Sequence, residues 1–145
     1  MEDNLQQLGE ELISTAARMV RWAPREQGFQ ISLAAARLLA RLHDNGPTRI
    51  SDLATAERCS QPTITNHVKR LEAAELVARE VDPHDGRVCI ISLTDSGMGE
   101  LLRMRAAIGA GLEPYLARLS EPDRRTLAGG LEVMQRLMTI KEPVQ

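Results

Sequence analysis

Apolar residues recur every three or four positions along most of the chain, a spacing typical of helices that bury one face. Turn-forming residues interrupt this pattern, and side chains suited to capping the start of a helix stand at Ser32, Thr48, Thr94 and Ser120. The pattern predicts six helices, at about residues 5–23, 32–45, 49–58, 61–74, 95–119 and from 121 onward.

The fifth predicted helix contains residues that disturb helical geometry. Gly109, Gly111 and Pro114 fall in its second half and predict a kink or a break there. Its predicted inward positions are Met98, Leu101, Leu102, Arg105, Ile108, Leu112 and Tyr115.

The periodicity changes between the fourth and fifth helices. Residues 76–81 and 87–93 are short, partly alternating and rich in β-branched side chains, and residues 82–86 are turn formers. Together they predict a β-hairpin. The third and fourth helices are joined by about four residues, as in a helix-turn-helix. The predicted fold is therefore mainly α, a winged helix-turn-helix with a two-stranded wing.

Length and composition narrow the classes of function. The chain has 145 residues, enough for one domain, or for one domain with a dimerisation appendage. Aromatic residues make up only 2%, which disfavours nucleic-acid binding by aromatic stacking. No apolar run approaches the roughly 20 residues of a membrane span, and the N-terminus is acidic rather than basic. We therefore expect a cytoplasmic protein without a membrane segment.

The fourth helix has the residue pattern that major-groove recognition needs. Ile64, Val68 and Leu71 fall on one side and are predicted to pack inward. The remaining positions carry amides, hydroxyls and cations, which can pair with base edges and phosphates. An ordinary solvated helix face is the alternative. The predicted DNA-binding residues of this helix are Gln61, Pro62, Thr63, Thr65, Asn66, Lys69 and Arg70.

The tip of the predicted hairpin adds a second candidate contact. Asp85 and Arg87 are two positions apart, so on an extended segment they point to the same side. An arginine on a narrow loop can enter the minor groove, and a carboxylate can hold its guanidinium by a forked pair. The alternative is a solubilising turn with a weak surface ion pair.

These motifs, in this order, resemble MarR-type winged-helix transcriptional regulators. Asp85-x-Arg87, five residues and then Leu93-Thr94 is similar to the family signature, and residues 50–54, 60–65, 70–77 and 94–97 resemble its other blocks. The resemblance covers about residues 30–100.

The resemblance implies a homodimer that binds double-stranded DNA at a pseudo-palindromic operator. Residues 1–30 and 95–145 would form the dimer, and residues 31–94 the winged helix-turn-helix. Gln61, Pro62, Thr63, Thr65, Asn66 and Lys69 would read the major groove, with Arg87 in the minor groove and Asp85 as its brace. A small aromatic or anionic effector would relieve repression.

Two features depart from this pattern. The family often has glycine after the recognition helix, where this chain has Glu75, so we expect that helix end to be built differently. Residues 49–93 contain six Lys/Arg and seven Asp/Glu, so the segment is not basic overall. The cations must therefore be segregated to one face for DNA affinity to be high.

A candidate effector site is suggested by two of the three aromatic residues, which flank the first inter-helix turn. Aromatic and methionine side chains suit a planar ligand, and an arginine suits its carboxylate. Closure of the core is the favoured alternative for the aromatic pair. The candidate ligand-binding residues are Met19, Trp22, Phe29, Met98 and Arg105.

Other reactive side chains do not form a recognisable site. Cys59 and Cys89 have no metal-binding spacing and are predicted to be inert, with a thiol-based redox switch as the alternative. His84 with Asp82 and Asp85 on one turn is a weak candidate for a metal. The sequence predicts no metal, no cofactor and no enzyme. A winged-helix module for protein contacts, without an operator, is the alternative to DNA binding.

Overall fold

The computed structural model describes residues 4–24 and 31–140 of the chain. It contains the predicted helices and a small sheet, so the winged helix-turn-helix prediction is confirmed. The helices are α1 (Leu5–Trp22), α2 (Leu33–Asn45), α3 (Ile50–Ala56), α4 (Gln61–Ala73), α5 (Asp95–Leu116) and α6 (Glu121–Thr139), and the strands are β1 (Thr48–Arg49), β2 (Val77–Val81) and β3 (Cys89–Leu93).

Residues 31–107 belong to one compact unit, which we call the central unit, and the described residues 4–24 and 108–140 belong to another. One hydrophobic cluster holds the central unit together, with contributions from α2, α3, α4, β2, β3 and α5. Its most deeply buried side chains are Leu38, Leu39, Leu53, Ile64, Val68, Leu71 and Ile91. The predicted inward face of the fourth helix is confirmed.

The sheet has three strands in the order β1-β3-β2, all antiparallel. The hairpin of β2 and β3 forms the predicted two-stranded wing, whereas β1 was not predicted and the expected Thr48 cap is wrong. Thr48 and Arg49 instead pair with Ile91 and Ile90 of β3, and α3 begins at Ile50 without a side-chain cap. A two-residue strand is too short to show the alternation that reveals strands in sequence.

The other predicted caps are confirmed. Ser32, Thr94 and Ser120 each accept a hydrogen bond on their hydroxyl oxygen from the backbone amide three residues later, at 3.2, 3.0 and 3.2 Å. These bonds satisfy amides that the first turn of a helix leaves without an intrahelical acceptor.

The fifth helix differs from its prediction in continuity and in the face that it buries. It continues to Leu116 with Pro114 inside it, so the expected break is wrong, and the alternative, a kink, stays a prediction. Its buried side chains are Leu101 and Met104, whereas Leu102, Arg105 and Tyr115, predicted inward, are exposed. The predicted set covered more of the helix circumference than the stripe that contacts the core of the central unit.

The end of α4 is bonded to the start of α5. Glu75 has a φ of 60°, and its amide and that of Leu76 donate to the carbonyls of Glu72 and Leu71. This is a left-handed helix cap built on glutamate, so the expectation of a different construction is wrong. A side chain here costs about 1 kcal/mol relative to glycine. Thr94 Oγ1 donates to the carbonyl of Glu75 at 2.7 Å, which connects the two helices.

Gly97 lies where α5 passes closest to this cap. A Cβ at Gly97 would lie 2.0 Å from the carbonyl oxygen of Leu76 and 2.7 Å from Cδ1 of Leu93. The same carbonyl accepts the backbone amide of Thr94 at 3.2 Å. The position of α5 against the end of α4 therefore depends on the absence of a side chain at residue 97.

The unit formed by the chain ends leaves much of its apolar surface in solvent. None of the described residues of α1 or α6 is buried. The rings of Trp22 and Tyr115 make an edge-to-face contact with centroids 5.0 Å apart, yet both remain about half exposed. Apolar stripes of this extent on helices normally require a partner surface.

Candidate nucleic-acid interface

The start of α4 is fixed by its first residues. Ser60 accepts a hydrogen bond from the amide of Thr63 at 3.3 Å, and the two hydroxyl groups are 2.8 Å apart. Pro62 lies in the first helical turn, where its missing N–H has no cost. These local bonds fix the first turn in the conformation from which its side chains project.

The side chains of α4 separate cleanly by burial. Ile64, Val68 and Leu71 are in the core, whereas nearly all predicted groove residues are exposed. Pro62, Asn66 and Lys69 follow helical spacing and form one stripe. Thr65 is half-buried, and the exposed members are Gln61, Pro62, Thr63, Asn66, Lys69 and Arg70.

The loop between β2 and β3 is stabilised by its own polar groups. The side chain of Asp85 accepts a hydrogen bond from the backbone amide of Arg87 at 3.0 Å, and Nε of Arg87 lies 3.5 Å from the same oxygen. The Arg87 side chain is 93% exposed. Asp85 therefore contacts the guanidinium through one long ion pair and holds the turn mainly through the backbone.

Asp82 has a role that the sequence did not reveal. It is the buried polar residue at the base of the wing, and its carboxylate accepts a bond from the amide of His84 at 2.8 Å. Its other oxygen lies 3.3 Å from Nη2 of Arg49 on β1. The pair joins the wing loop to a strand that the sequence pattern did not predict.

Part of the chain is similar in sequence to known proteins. The model of the MarR family matches residues 31–89. The uncharacterised HTH-type transcriptional regulator YxaD of Bacillus subtilis is 38% identical over 100 residues, which span 69% of this chain and 68% of YxaD. The HTH-type transcriptional repressor NicR of Pseudomonas putida is 36% identical over 95 residues, 66% of this chain. The chain belongs to the MarR family.

Solved structures agree with this assignment at the level of the fold. The transcriptional regulator Tm0710 of Thermotoga maritima aligns over 93% of this chain and 99% of its own, with a TM-score of 0.73 and 24% identity. A MepR mutant of Staphylococcus aureus, bound to an oligodeoxyribonucleotide, aligns over 93% of this chain and 95% of its own, with a TM-score of 0.58 and 22% identity.

The family assignment places this chain among proteins that are named as HTH-type transcriptional regulators. The match covers only part of some relatives, 55% of NicR and 63% of YdgJ of Bacillus subtilis. The family therefore establishes the class of protein, and the finer details of its function are proposals.

Ion pairs in this MarR protein neutralise part of the acidic charge around the helix-turn-helix. Glu57 is bonded by Arg37 and Arg41, Asp82 by Arg49, and Glu72 by Arg79 at 3.4 Å. Within the described ranges, the structure pairs Arg58, Lys69 and Arg70 with no carboxylate. These three exposed cations lie on α4 or in the turn before it, which supplies the local basic charge that the net composition conceals.

The predicted effector residues lie in different parts of the chain. Met19 and Trp22 on α1 line an open concavity of about 500 Å³ with Thr15, Arg18 and Arg21. On α5, Met98 is half-buried and Arg105 is exposed. Phe29 lies outside the described residues, and the five-residue pocket stays a prediction.

The remaining sequence hypotheses concern thiols, metal and membrane. Cys59 and Cys89 are both free and half-buried, and Nη1 of Arg79 lies 3.8 Å from Sγ of Cys89. Among residues 4–24 and 31–140, no group of three His, Cys, Asp or Glu side chains is placed to hold a metal ion. No helix in those ranges is long and apolar enough to cross a bilayer.

Proposed function

We propose that this MarR-family protein is a cytoplasmic, dimeric repressor that binds a pseudo-palindromic operator and is released from it by a small ligand. The observation that carries the proposal is the surface of α4, a polar and cationic face on a helix whose opposite face is in the core. NicR and IacR of Pseudomonas putida, both similar to this chain, are named as repressors, and a MepR neighbour is bound to DNA.

Each part of the surface has a proposed role. We propose that Asn66 and Gln61 pair with adenine and that the methyl groups of Thr63 and Thr65 contact thymine. Pro62 lets the backbone approach the groove without a bulky side chain. Lys69 reaches base edges or phosphates and Arg70 reaches phosphates, which set register and affinity. Arg87 enters the minor groove with Asp85 holding its loop.

Dimerisation is proposed to involve residues 1–30 and 95–145, leaving residues 31–94 for DNA. The support is the apolar surface of the chain ends, which no described residue covers. A two-fold dimer presents two recognition helices and therefore suits an operator with two related half-sites. The exposed large apolar residues of α1 and α6 are Leu5, Leu8, Ile13, Met19, Val20, Trp22, Leu127, Leu131, Val133, Leu137 and Met138.

The effector is proposed to be a small aromatic or anionic molecule. Met19 and Trp22 already line one concavity, and an arginine such as Arg105 supplies the charge that a carboxylate requires. Phe29 and Met98 complete the proposed set. Binding would relieve repression by favouring a state of the dimer with lower DNA affinity.

Asn66→Ala tests whether the exposed face of α4 reads bases. We expect the ratio of operator affinity to scrambled-DNA affinity to fall by roughly tenfold, because one bidentate base contact is worth about 1–3 kcal/mol. Fluorescence anisotropy on the two duplexes measures the ratio. Gln135→Ala, which removes an exposed amide from α6, should leave it unchanged. An unchanged ratio for Asn66→Ala would mean that another face of the helix enters the groove.

Sedimentation tests the proposed dimer. At micromolar concentration the wild-type chain should sediment with about twice the mass of one chain, because its apolar stripes need a partner surface. Leu131→Glu puts a charge in the apolar stripe of α6 and should shift the equilibrium toward monomer. Arg136→Gln changes a polar residue on the opposite side of the helix and should leave the equilibrium unchanged. A wild-type monomer at this concentration would exclude the two-fold operator proposal.

A further inference from the structure

Arg58 has an unusual backbone conformation. Its φ is 52°, and among the described residues only Glu75 is also a non-glycine residue with positive φ. Arg58 follows the last turn of α3, and Glu75 follows the last turn of α4, so both are in the left-handed position that ends a helix. At the end of α3, the amides of Arg58 and Cys59 donate to the carbonyls of Thr55 and Ala54, each at 3.1 Å. Glycine is the residue that this left-handed cap favours, so a side chain at residue 58 lowers stability.

Arg58 is close to the start of the candidate recognition helix. It lies in the turn between α3 and α4, two residues before Ser60, which caps α4. In a helix-turn-helix, the first residues of the recognition helix contact base edges in the major groove. The residues immediately before them therefore lie at the edge of the groove, where the phosphates are.

The surrounding charges leave Arg58 available for an external anion. Its neighbour Glu57 has a side chain only 10% exposed, which is bonded by Nη2 of Arg37 at 3.0 Å and by Nε of Arg41 at 2.8 Å. Arg58 itself is exposed, and the structure pairs it with no acid in residues 4–24 or 31–140. Because the charge of Glu57 is offset by two arginines of α2, the charge of Arg58 leaves this surface positive beside the start of α4.

We propose that Arg58 binds a backbone phosphate of the DNA and that its charge is the reason for a strained arginine in a position suited to glycine. The proposal rests on the proposed DNA binding of the α4 face. A phosphate contact is independent of sequence, so Arg58 contributes equally to operator and scrambled DNA. The proposed DNA-binding surface then includes Arg58 of the turn as well as the residues of α4 and the wing.

Arg58→Gly separates strain from charge, with Glu75→Gly as the matched control. Both changes relieve the same backbone conformation, and each should raise Tm by about 2–4 °C. Arg58→Gly should also weaken operator and scrambled DNA alike, by roughly five- to tenfold. The slope of log affinity against log salt concentration should become shallower by about one unit. Glu75→Gly should not weaken either affinity.

Two further variants at residue 58 complete the test. Arg58→Gln keeps the strain and removes the charge, so it should weaken DNA binding as Arg58→Gly does but without a rise in Tm. Arg58→Lys should keep most of the affinity, because a phosphate accepts a point charge. Thermal unfolding and DNA titrations at two salt concentrations measure both properties on the full chain.

The outcomes distinguish this proposal from the function on which it rests. If Arg58→Gly binds DNA with the same affinity and the same salt slope as the wild type, the phosphate contact is overturned but the proposed function is not. An equal loss in Glu75→Gly would assign the effect to helix-end geometry and overturn it as well. A wild-type chain with no salt-dependent DNA binding would overturn the proposed function, and this contact with it.

Discussion

Gly97→Ala should lower the free energy of unfolding by about 3 kcal/mol, because no side chain fits between α5 and the end of α4. The added Cβ would lie 2.0 Å from the carbonyl oxygen of Leu76. Relief requires movement of backbone rather than of a flexible side chain, and the same carbonyl is bonded to the amide of Thr94. Urea denaturation at one fixed protein concentration measures the change.

Gly99→Ala is the matched control for this prediction. Gly99 lies on the same helix, and a Cβ there meets nothing within 4 Å. Alanine should therefore stabilise the protein by about 0.5–1 kcal/mol, the usual difference between the two residues inside a helix. Equal stability of Gly97→Ala and the wild type would show that α5 does not pack on the α4 cap as described.

Arg87→Ala should weaken operator binding by about 1–3 kcal/mol, with a salt slope shallower by about one unit. The change removes a cation and a side chain that is free to enter the minor groove. Arg87→Lys should restore little, because an ammonium lacks the planar fork of the guanidinium. Affinities on one operator at two salt concentrations measure the effect.

Asp85 provides the sharper part of this test. Loss of an acid near DNA should tighten binding if net charge alone matters, yet we expect Asp85→Ala to weaken it, because the loop loses the bond to the amide of Arg87. Asp85→Asn retains an acceptor for that amide and should keep most of the affinity. Tighter binding by Asp85→Ala at both salt concentrations would mean that Asp85 does not support DNA binding and that the wing tip is an ordinary solvated turn.

Strong local signals allowed most helix starts and the buried face of α4 to be predicted from sequence. Ile64, Val68 and Leu71 follow the helical period, so the buried and exposed faces of α4 could be separated before its neighbours were known. The hydroxyls of Ser32, Thr94 and Ser120 stand where helices begin. The hairpin was visible because its strands change the period and its turn has a distinctive composition.

The features that were missed depend on contacts between distant parts of the chain. Thr48 and Arg49 form a strand only because β3 lies beside them. Asp82 resembles an ordinary turn residue until Arg49, 33 positions earlier, is seen against it. The positive φ of Arg58 could not be predicted either, because arginine, unlike glycine, does not indicate a left-handed helix end.

The face of α5 was predicted less well than that of α4. Leu101 and Leu102 are equally apolar and adjacent in sequence, and only packing in the central unit separates them into buried and exposed residues. The candidate effector site was even harder to predict from sequence. Its members lie far apart in sequence, and composition alone cannot bring them together.

Selection of bound duplexes from a random DNA library tests the central claim, that a dimer reads an operator through α4 and the wing. The enriched sequence should be an inverted repeat whose half-sites are centred about one helical turn, roughly 10 base pairs, apart. Titration of that duplex should saturate at two chains per site. A library without enrichment, or a single asymmetric half-site saturated by one chain, would contradict the account.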